Sequence, residues 1–324
     1  MKYSPICARQ LYVWVLAVFL VNLVALLTTR AHLSFQDLDT ILMSASVFGL
    51  WYFALRRAIQ DETTTSFLIV YACRALEVLF FLKLAWINLR IFNHLSMMAP
   101  FPYADNLLLS WDQAINAPWK AYFEVMHENP LLIDVLALSY TSLTPLSILT
   151  LLILCFWRDG ERARFFVNTF FVTAMICLVV GSAFPAKAAV LTLIEDLSVY
   201  GNFPSAPGVY HYPYMETLRD STESPTLHVM ALPGLVTFPS FHTASGILLM
   251  IAFWRTWAFM PAMIYAVTMI ASTPIFGGHY FIDLIAGASV ALAVCLAFAV
   301  RPNFTGLFLA QRPQTFSAMH PIAA

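Results

Sequence analysis

Two ionisable residues near the C-terminal end of the sequence, His279 and Asp283, have the spacing of a catalytic pair. They lie in the segment Gly277-Gly278-His279-Tyr280-Phe281-Ile282-Asp283, at the start of a long apolar stretch. Residues four positions apart share one face of a helix. A carboxylate that accepts a hydrogen bond from one imidazole nitrogen leaves the other nitrogen free to attack. The glycines allow close backbone approach, and the free amides of a helix start attract anions. The segment therefore predicts a histidine nucleophile that meets a phosphate.

A second histidine stands at the start of another apolar stretch, in Phe238-Pro239-Ser240-Phe241-His242. The Ser240 hydroxyl and the first amides of a helix can bind phosphate oxygens. His242 can then protonate a leaving alkoxide as a general acid. The alternative for His279 and Asp283 is a buried structural pair, and for His242 a helix cap or a surface residue. An ionisable pair inside a membrane span is costly to bury, which favours the functional interpretation.

The composition is that of a polytopic membrane protein. Hydrophobic residues make up 60% of the sequence and charged residues 11%, whereas soluble domains carry about 25% charged residues. The formal net charge of -1 argues against nucleic-acid binding. The five cysteines lie in or beside apolar stretches and form no CxxC pair. Neither a disulfide framework nor a cysteine-based zinc site is therefore expected.

Apolar windows of about twenty residues predict an all-α, polytopic membrane helix bundle. About eight spans are expected, near 11–29, 40–57, 66–91, 131–157, 165–184, 241–257, 260–277 and 280–300. Arg74, Glu77 and Lys83 interrupt the third span. We divide the chain into residues 1–91, which hold N-terminal spans including two additional helices, and residues 92–324. The second part contains the predicted core, an outer amphipathic segment, a long outer loop and a C-terminal tail.

The positive charges predict the orientation of these spans. With a cytoplasmic N-terminus, ten of the 17 Lys and Arg residues lie inside, five lie outside and two lie within the membrane. This bias follows the positive-inside rule. It places residues 92–130 and 185–240 on the outer side, together with His242 and His279. We expect an integral protein of the bacterial inner membrane whose active site faces the periplasm.

The two outer segments differ in character. Apolar residues in 92–130 recur at helical spacing, which predicts a helix in the membrane interface that serves as a lid, a lipid entrance or a plain anchor. These residues are Leu107, Leu108, Trp111, Ile115, Trp119, Tyr122 and Phe123. The segment 185–240 is rich in proline and tyrosine. Its composition favours an ordered, functional loop over a flexible linker.

The two histidine motifs resemble those of the type 2 phosphatidic acid phosphatase superfamily. Pro239-Ser240-Phe241-His242 is similar to the family's PSGH motif, and Ser272, His279 and Asp283 have the spacing of its SRxxxxxHxxxD motif. Phe241 in place of glycine, and the run from Gly277 to Asp283, look most like the inositol phosphorylceramide synthase branch, whose members are inositolphosphotransferases. The resemblance covers roughly residues 100–300 and implies a six-helix phosphatase-like core.

The resemblance also implies a role for each motif residue. His279 would attack phosphorus and form a phosphohistidine, Asp283 would orient it, and His242 would be the acid and later the base for the acceptor. The implied phosphate-binding residues are Ser240, Ser272 and Gly278. Neither a metal ion nor an organic cofactor is implied.

The phosphate cradle lacks the positive charge that the family's motifs supply. Thr273 stands where the family has arginine, and the upstream KxxxxxxRP motif is absent near the end of the fifth span. A phosphoryl transition state needs its charge countered. We therefore predict that Lys187 and Arg219, which are outer cations, bind phosphate. An ordinary loop charge is the alternative for each.

The predicted function is that of a membrane lipid phosphotransferase or lipid phosphate phosphatase, acting at the outer leaflet on a phospholipid or lipid phosphate. Transfer and hydrolysis share the covalent intermediate and differ only in whether an alcohol or water enters second. Three alternatives stay open: a transporter with a polar pathway through Arg74, Glu77 and Lys83; a metal site built from His242, His279 and Asp283; and an inactive structural relative. No oligomeric state is predicted.

Overall fold

The computed structural model describes residues 3–60, 66–157, 160–203, 207–300 and Leu307. The first helices are α1 (Arg9–Thr28), α2 (Phe35–Gln60), α3 (Phe67–Met97), α4 (Asp105–Ala114), α5 (Trp119–His127), α6 (Pro130–Thr141), α7 (Leu143–Phe156) and α8 (Glu161–Ala183). The remaining helices are α9 (Ala189–Leu193), α10 (Tyr212–Arg219), α11 (Phe241–Ala252), α12 (Phe259–Phe276) and α13 (Phe281–Ala299). Two short strands, β1 (His32–Leu33) and β2 (Thr226–Leu227), pair in parallel.

Five helices of the described chain are long and apolar enough to cross a membrane. They are α1, the part of α2 from Leu38 to Arg57, α8, α12 and α13. Helices α6 and α7 together are apolar enough for a sixth crossing. The predicted fold class is confirmed: the chain is an all-α, integral membrane protein.

Three of the eight predicted spans differ in detail from the structure. Segment 131–157 is two helices, α6 and α7, with a bend of 55° between them. Pro145 in the first turn of α7 explains the bend, because it lacks an N–H group and its ring clashes with the carbonyl of Thr141. Segment 241–257 is helical only to Ala252, and α3 is a 31-residue helix that carries several charges. Neither α11 nor α3 has the length and composition of a single apolar span among the described helices.

The short helix α11 is the centre of the bundle. It packs against α8, α12 and α13, and eight of its twelve residues are buried. A helix that is apolar on all sides belongs in the interior of a larger bundle. The residues at its N-terminal end are thereby held at one end of α8, α12 and α13, where the two histidine motifs meet.

The N-terminal helices are packed on the rest of the bundle through α3. Helices α1 and α2 contact α3, which in turn contacts α7 and α8. The predicted boundary between residues 91 and 92 falls inside α3, and the division into two parts stays a prediction. The predicted C-terminal tail beyond residue 300, apart from Leu307, lies outside the described residues.

Candidate active site

His279 lies in a tight turn between α12 and α13, and the preceding glycines make room for it. A Cβ atom on Gly277 would lie 2.4 Å from Cδ2 and 2.8 Å from Nε2 of the His279 ring. The backbone N–H of Gly277 donates to the carbonyl of Thr273, which holds the turn against the end of α12. Only glycine at position 277 therefore allows the imidazole to fold back over its own turn.

The predicted pair of His279 and Asp283 is present. The Nδ1–H group of His279 donates to Oδ2 of Asp283 at 3.2 Å, and both side chains are buried. The same carboxylate oxygen accepts the backbone N–H of Tyr280 at 3.0 Å, which fixes its position at the start of α13. With the proton on Nδ1, the lone pair of the imidazole is on Nε2.

The free nitrogen of His279 faces the second motif. Nε2 lies 3.4 Å from the hydroxyl oxygen of Ser240. Burial lowers the pKa of His279 to about 4, and a hydrogen bond with the Thr237 backbone acts in the opposite direction. The imidazole is consequently neutral near pH 7, which is the nucleophilic form.

The second motif packs directly on α13. The Ser240 N–H donates to the carbonyl of Asp283 at 3.0 Å, and a Cβ atom on Gly287 would meet the Ser240 carbonyl oxygen at 2.2 Å. Ser240 also caps α11, since its hydroxyl accepts the N–H of Thr243. His242 lies within electrostatic range of His279. The two predicted histidines are therefore brought together at one end of the bundle.

An aromatic ring sets the orientation of His242. The ring of Tyr140, on α6, stacks on the imidazole with centroids 4.0 Å apart and an interplanar angle of 16°. The hydroxyl of Tyr140 is in turn within 3.1 Å of the hydroxyl of Tyr210, in the loop before α10. Two elements distant in sequence thus fix the position of His242 at this end of the bundle.

The amphipathic segment of α4 and α5 holds the turn at His279 from the other side. Asp112 accepts the backbone N–H groups of Phe281 and Ile282 at 2.9 and 2.7 Å. The indole N–H of Trp119 donates to the carbonyl of His279 at 2.9 Å. Both side chains are buried. The first two amides of α13 are thus bonded to Asp112, so the prediction of free anion-binding amides at this helix start is wrong.

Asp105 forms a second connection between the amphipathic segment and the site. Its carboxylate accepts the backbone N–H groups of Lys187 and Ala188 and the hydroxyl of Tyr280. Ala189 donates its N–H to the carbonyl of Gly278 at 2.8 Å. The start of the long loop is therefore bonded to the turn that carries His279.

The remaining predicted phosphate-binding residues have other contacts. The Ser272 hydroxyl donates to the carbonyl of Met269 in its own helix, and Gly278 packs against Gly208. Arg219 donates to the carbonyls of Met97 and Ala99 at the end of α3. The Lys187 ammonium and the Arg219 guanidinium both lie over the ring of Tyr103, 4.9 and 4.7 Å from its centroid. Phosphate binding by these four residues stays a prediction.

The described chain contains no group of three or more His, Cys, Asp or Glu side chains arranged to hold a metal ion.

Comparison with known families identifies the superfamily of this chain. The family model of the PAP2 superfamily matches residues 106–297, which is more than half of the chain, and the chain belongs to this superfamily. Searches of curated proteins and of solved structures found no significant match. Membership supports a phosphatase-type or phosphotransferase-type enzyme that acts on lipid phosphates.

Several residues that position the site did not emerge from the sequence as site residues. They are Asp105, Asp112, Trp119, Tyr140, Tyr210 and His211. The first three stand on the polar and aromatic stripe of a segment that the sequence marks as amphipathic. Asp105 and Asp112 recur at helical spacing among aromatic residues. That pattern could have indicated buried carboxylates that bond to backbone N–H groups.

Proposed function

We propose that this protein is a lipid phosphotransferase or lipid phosphate phosphatase that works through a phosphohistidine on Nε2 of His279. The observation that carries this proposal is the arrangement around one imidazole. Asp283 holds its Nδ1–H, and Nε2 is directed at the hydroxyl of Ser240. The charge of His242 interacts with that of His279, which supports a role of both rings at one phosphate.

The proposed first step forms an N–P bond and breaks a P–O bond. Nε2 of His279 attacks phosphorus, and its developing positive charge is stabilised by Asp283. His242, in its protonated form, donates a proton to the departing alkoxide oxygen. In the second step, neutral His242 removes a proton from the incoming water or alcohol, whose oxygen attacks phosphorus and releases His279.

The branch of the superfamily is part of this proposal. Phe241 in place of the motif glycine, together with the run from Gly277 to Asp283, supports an enzyme like the inositol phosphorylceramide synthases. In such an enzyme an alcohol, not water, resolves the intermediate. The proposed substrate is then a phospholipid with a transferable phosphate-bearing head group.

The proposed location is the bacterial inner membrane, with the site at the outer leaflet and facing the periplasm. The ten-to-five distribution of positive charges supports this orientation. Catalysis at the membrane surface also suits the exposed apolar residues on α4 and α5, such as Leu107, Ile115 and Val125.

The proposal is tested with the purified protein and a panel of phospholipids and lipid phosphates, with products identified by mass spectrometry. We expect turnover that vanadate inhibits and chelators do not. His279→Ala should abolish turnover, and His242→Ala should reduce it by about 10²–10⁴-fold. Asp283→Asn should be severe as well, since it disturbs the tautomer.

Exposed His32, far from the site in sequence, supplies the matched control. His32→Ala should retain wild-type turnover. Full activity in a folded His279→Ala variant would overturn the proposed mechanism, and strict dependence on a divalent metal would favour the metal-site alternative.

A further inference from the structure

A third histidine, His211, is buried beside the proposed nucleophile. It precedes α10 in the long loop, and only 1% of its surface is exposed. The loop reaches the site through a backbone contact, since a Cβ atom on Gly208 would lie 2.7 Å from the Gly278 nitrogen. The His211 ring lies within electrostatic range of His279.

One nitrogen of His211 is anchored and the other is not. The ring donates a hydrogen bond to the backbone carbonyl of Lys187. Among the described residues, Nε2 of His211 has no hydrogen-bond partner, so the anchored nitrogen is Nδ1. A buried polar atom without a partner is costly, so a ligand or an ordered water is expected at this nitrogen.

The groups around the ring leave its Nε2 without a partner from the protein. Besides His279, the groups around His211 are the carboxylate of Asp105, the backbone carbonyl of Lys187 and the ring of Tyr210. The Asp105 carboxylate is already bonded to two backbone N–H groups and to the hydroxyl of Tyr280. It is therefore not the partner that Nε2 lacks.

We propose that Nε2 of His211 binds a non-bridging oxygen of the phosphate that His279 attacks. This rests on the proposed function and adds a contact to it. One proton lies between Nε2 and the phosphate oxygen, either as N–H···O or as N···H–O, and in both forms one oxygen charge is neutralised. His211 thereby supplies part of the counter-charge that Thr273 cannot.

Two isosteric substitutions separate phosphate binding from a purely structural role. In His211→Asn the amide nitrogen can take the place of Nδ1 and keep the bond to the Lys187 carbonyl, but nothing replaces Nε2. In His211→Gln the amide reaches the place of Nε2, but the anchor is lost. A structural role predicts that the asparagine variant is the better of the two, whereas phosphate binding predicts the reverse.

The measurements are vanadate inhibition, kcat/KM on the best substrate of the panel, and the thermal unfolding midpoint. We expect His211→Asn to weaken vanadate inhibition and lower kcat/KM by about 10- to 100-fold, which corresponds to one hydrogen bond to a charged group. Its unfolding midpoint should stay near that of the wild type. His211→Gln should retain more vanadate affinity than His211→Asn.

The wild-type protein supplies a measurement that does not depend on the folding of either variant. Vanadate added to protein with ¹⁵N-labelled histidine should shift the Nε2 resonance of His211, assigned by its loss in one of the variants. Unchanged inhibition in His211→Asn, a weaker His211→Gln, or an unshifted resonance would overturn the inference. If the wild type shows neither vanadate binding nor turnover that depends on His279, the proposed function and this inference fall together. If the wild type binds vanadate and turns over substrate but His211→Asn is the better of the two variants, only the proposed role of His211 is overturned.

Discussion

The indole N–H of Trp119 donates to the backbone carbonyl of His279, a residue 160 positions later in the chain. The proposed nucleophile is thus held by its main chain as well as by its imidazole. Asp112, which precedes Trp119 in the chain, accepts the backbone N–H groups of Phe281 and Ile282, just after His279. The amphipathic segment is therefore a clamp on the backbone of the turn at His279, a role more specific than that of an interfacial anchor.

Removal of this clamp should reduce both stability and activity. Loss of a helix-capping side chain costs about 0.5–2 kcal/mol, so Asp112→Ala should lower the unfolding midpoint by a few degrees and kcat more than KM. Asp112→Asn keeps one oxygen acceptor and should be milder. Glu124→Gln, at an exposed position of α5, is the control. Thermal unfolding and kinetics in detergent would check the order; equal effects in the alanine and control variants would contradict it.

Gly277→Ala should disable the site while leaving the bundle intact. The added methyl group would lie 2.4 Å from the His279 ring, so the imidazole must leave its place beside Asp283. A displacement of about 1 Å can cost 10²-fold in rate, and we expect a loss of kcat of that order or more. Gly201→Ala, where an added Cβ meets nothing within 4 Å, is the matched control. Wild-type turnover in Gly277→Ala would show that the ring reacts from a position other than the one beside Asp283.

The pH dependence should show a nucleophile that stays neutral in weak acid. Burial lowers the pKa of His279 to about 4, and protonation removes the attacking lone pair. After correction for titration of the substrate phosphate, the acid limb of kcat/KM should therefore fall well below the ordinary histidine value of about 6.5. An acid limb at or above 6.5 in the wild type would mean that His279 is protonated more easily than its burial predicts.

The proposed orientation predicts which positions an impermeant thiol reagent reaches in intact cells. The five native cysteines are buried, so background labelling should be low. Thr222→Cys, in the long loop, should be labelled, and Gln10→Cys, at the start of α1, should be labelled only after lysis; both positions are exposed. Gly160 is a poor choice for a tag, because its φ is +69° and a Cβ atom would clash with Ile6. The opposite labelling pattern would place the active site in the cytoplasm.

Arg219 makes structural contacts, and a test of its predicted phosphate binding must distinguish the two roles. Its guanidinium binds backbone carbonyls at the end of α3, so Arg219→Ala should lower the unfolding midpoint, and Arg219→Lys should do so less. If Arg219 also binds phosphate, the alanine variant should weaken vanadate inhibition, and Lys187→Ala should do so more mildly. A lowered midpoint with unchanged vanadate inhibition would leave Arg219 as a structural residue alone.

The sequence carried enough information for the fold class and for the relation between the two histidine motifs. Apolar windows predict membrane spans directly, because a segment in the bilayer must satisfy its backbone hydrogen bonds internally as a helix. The pairing of His279 with Asp283 was expected from helical spacing. It forms although His279 lies in the turn before α13, because Asp283 bonds back to the backbone at the start of that helix. These predictions depended on residues near one another in the chain.

The contacts that the sequence did not reveal are between distant segments and use backbone atoms. The bonds from Trp119 to the His279 carbonyl and from Asp112 to two amides impose no residue type on their partners. The stacking of Tyr140 on His242 depends on the bend between α6 and α7, which sets where α6 points. A single chain shows no pattern for such contacts, because neither partner is marked by spacing.

The pairing of β1 with β2 constrains the order in which the chain can be assembled. His32 and its partner Thr226 are roughly 190 residues apart, and contacts of such separation form late. During synthesis, α1 and α2 are made well before the loop that they will hold. Strand β1, between α1 and α2, must therefore keep its backbone N–H and C=O groups hydrated and unpaired until most of the bundle has been inserted. A completed site is accordingly a late event in the biogenesis of this protein, because β1 has no partner until the long loop that carries β2 has been made.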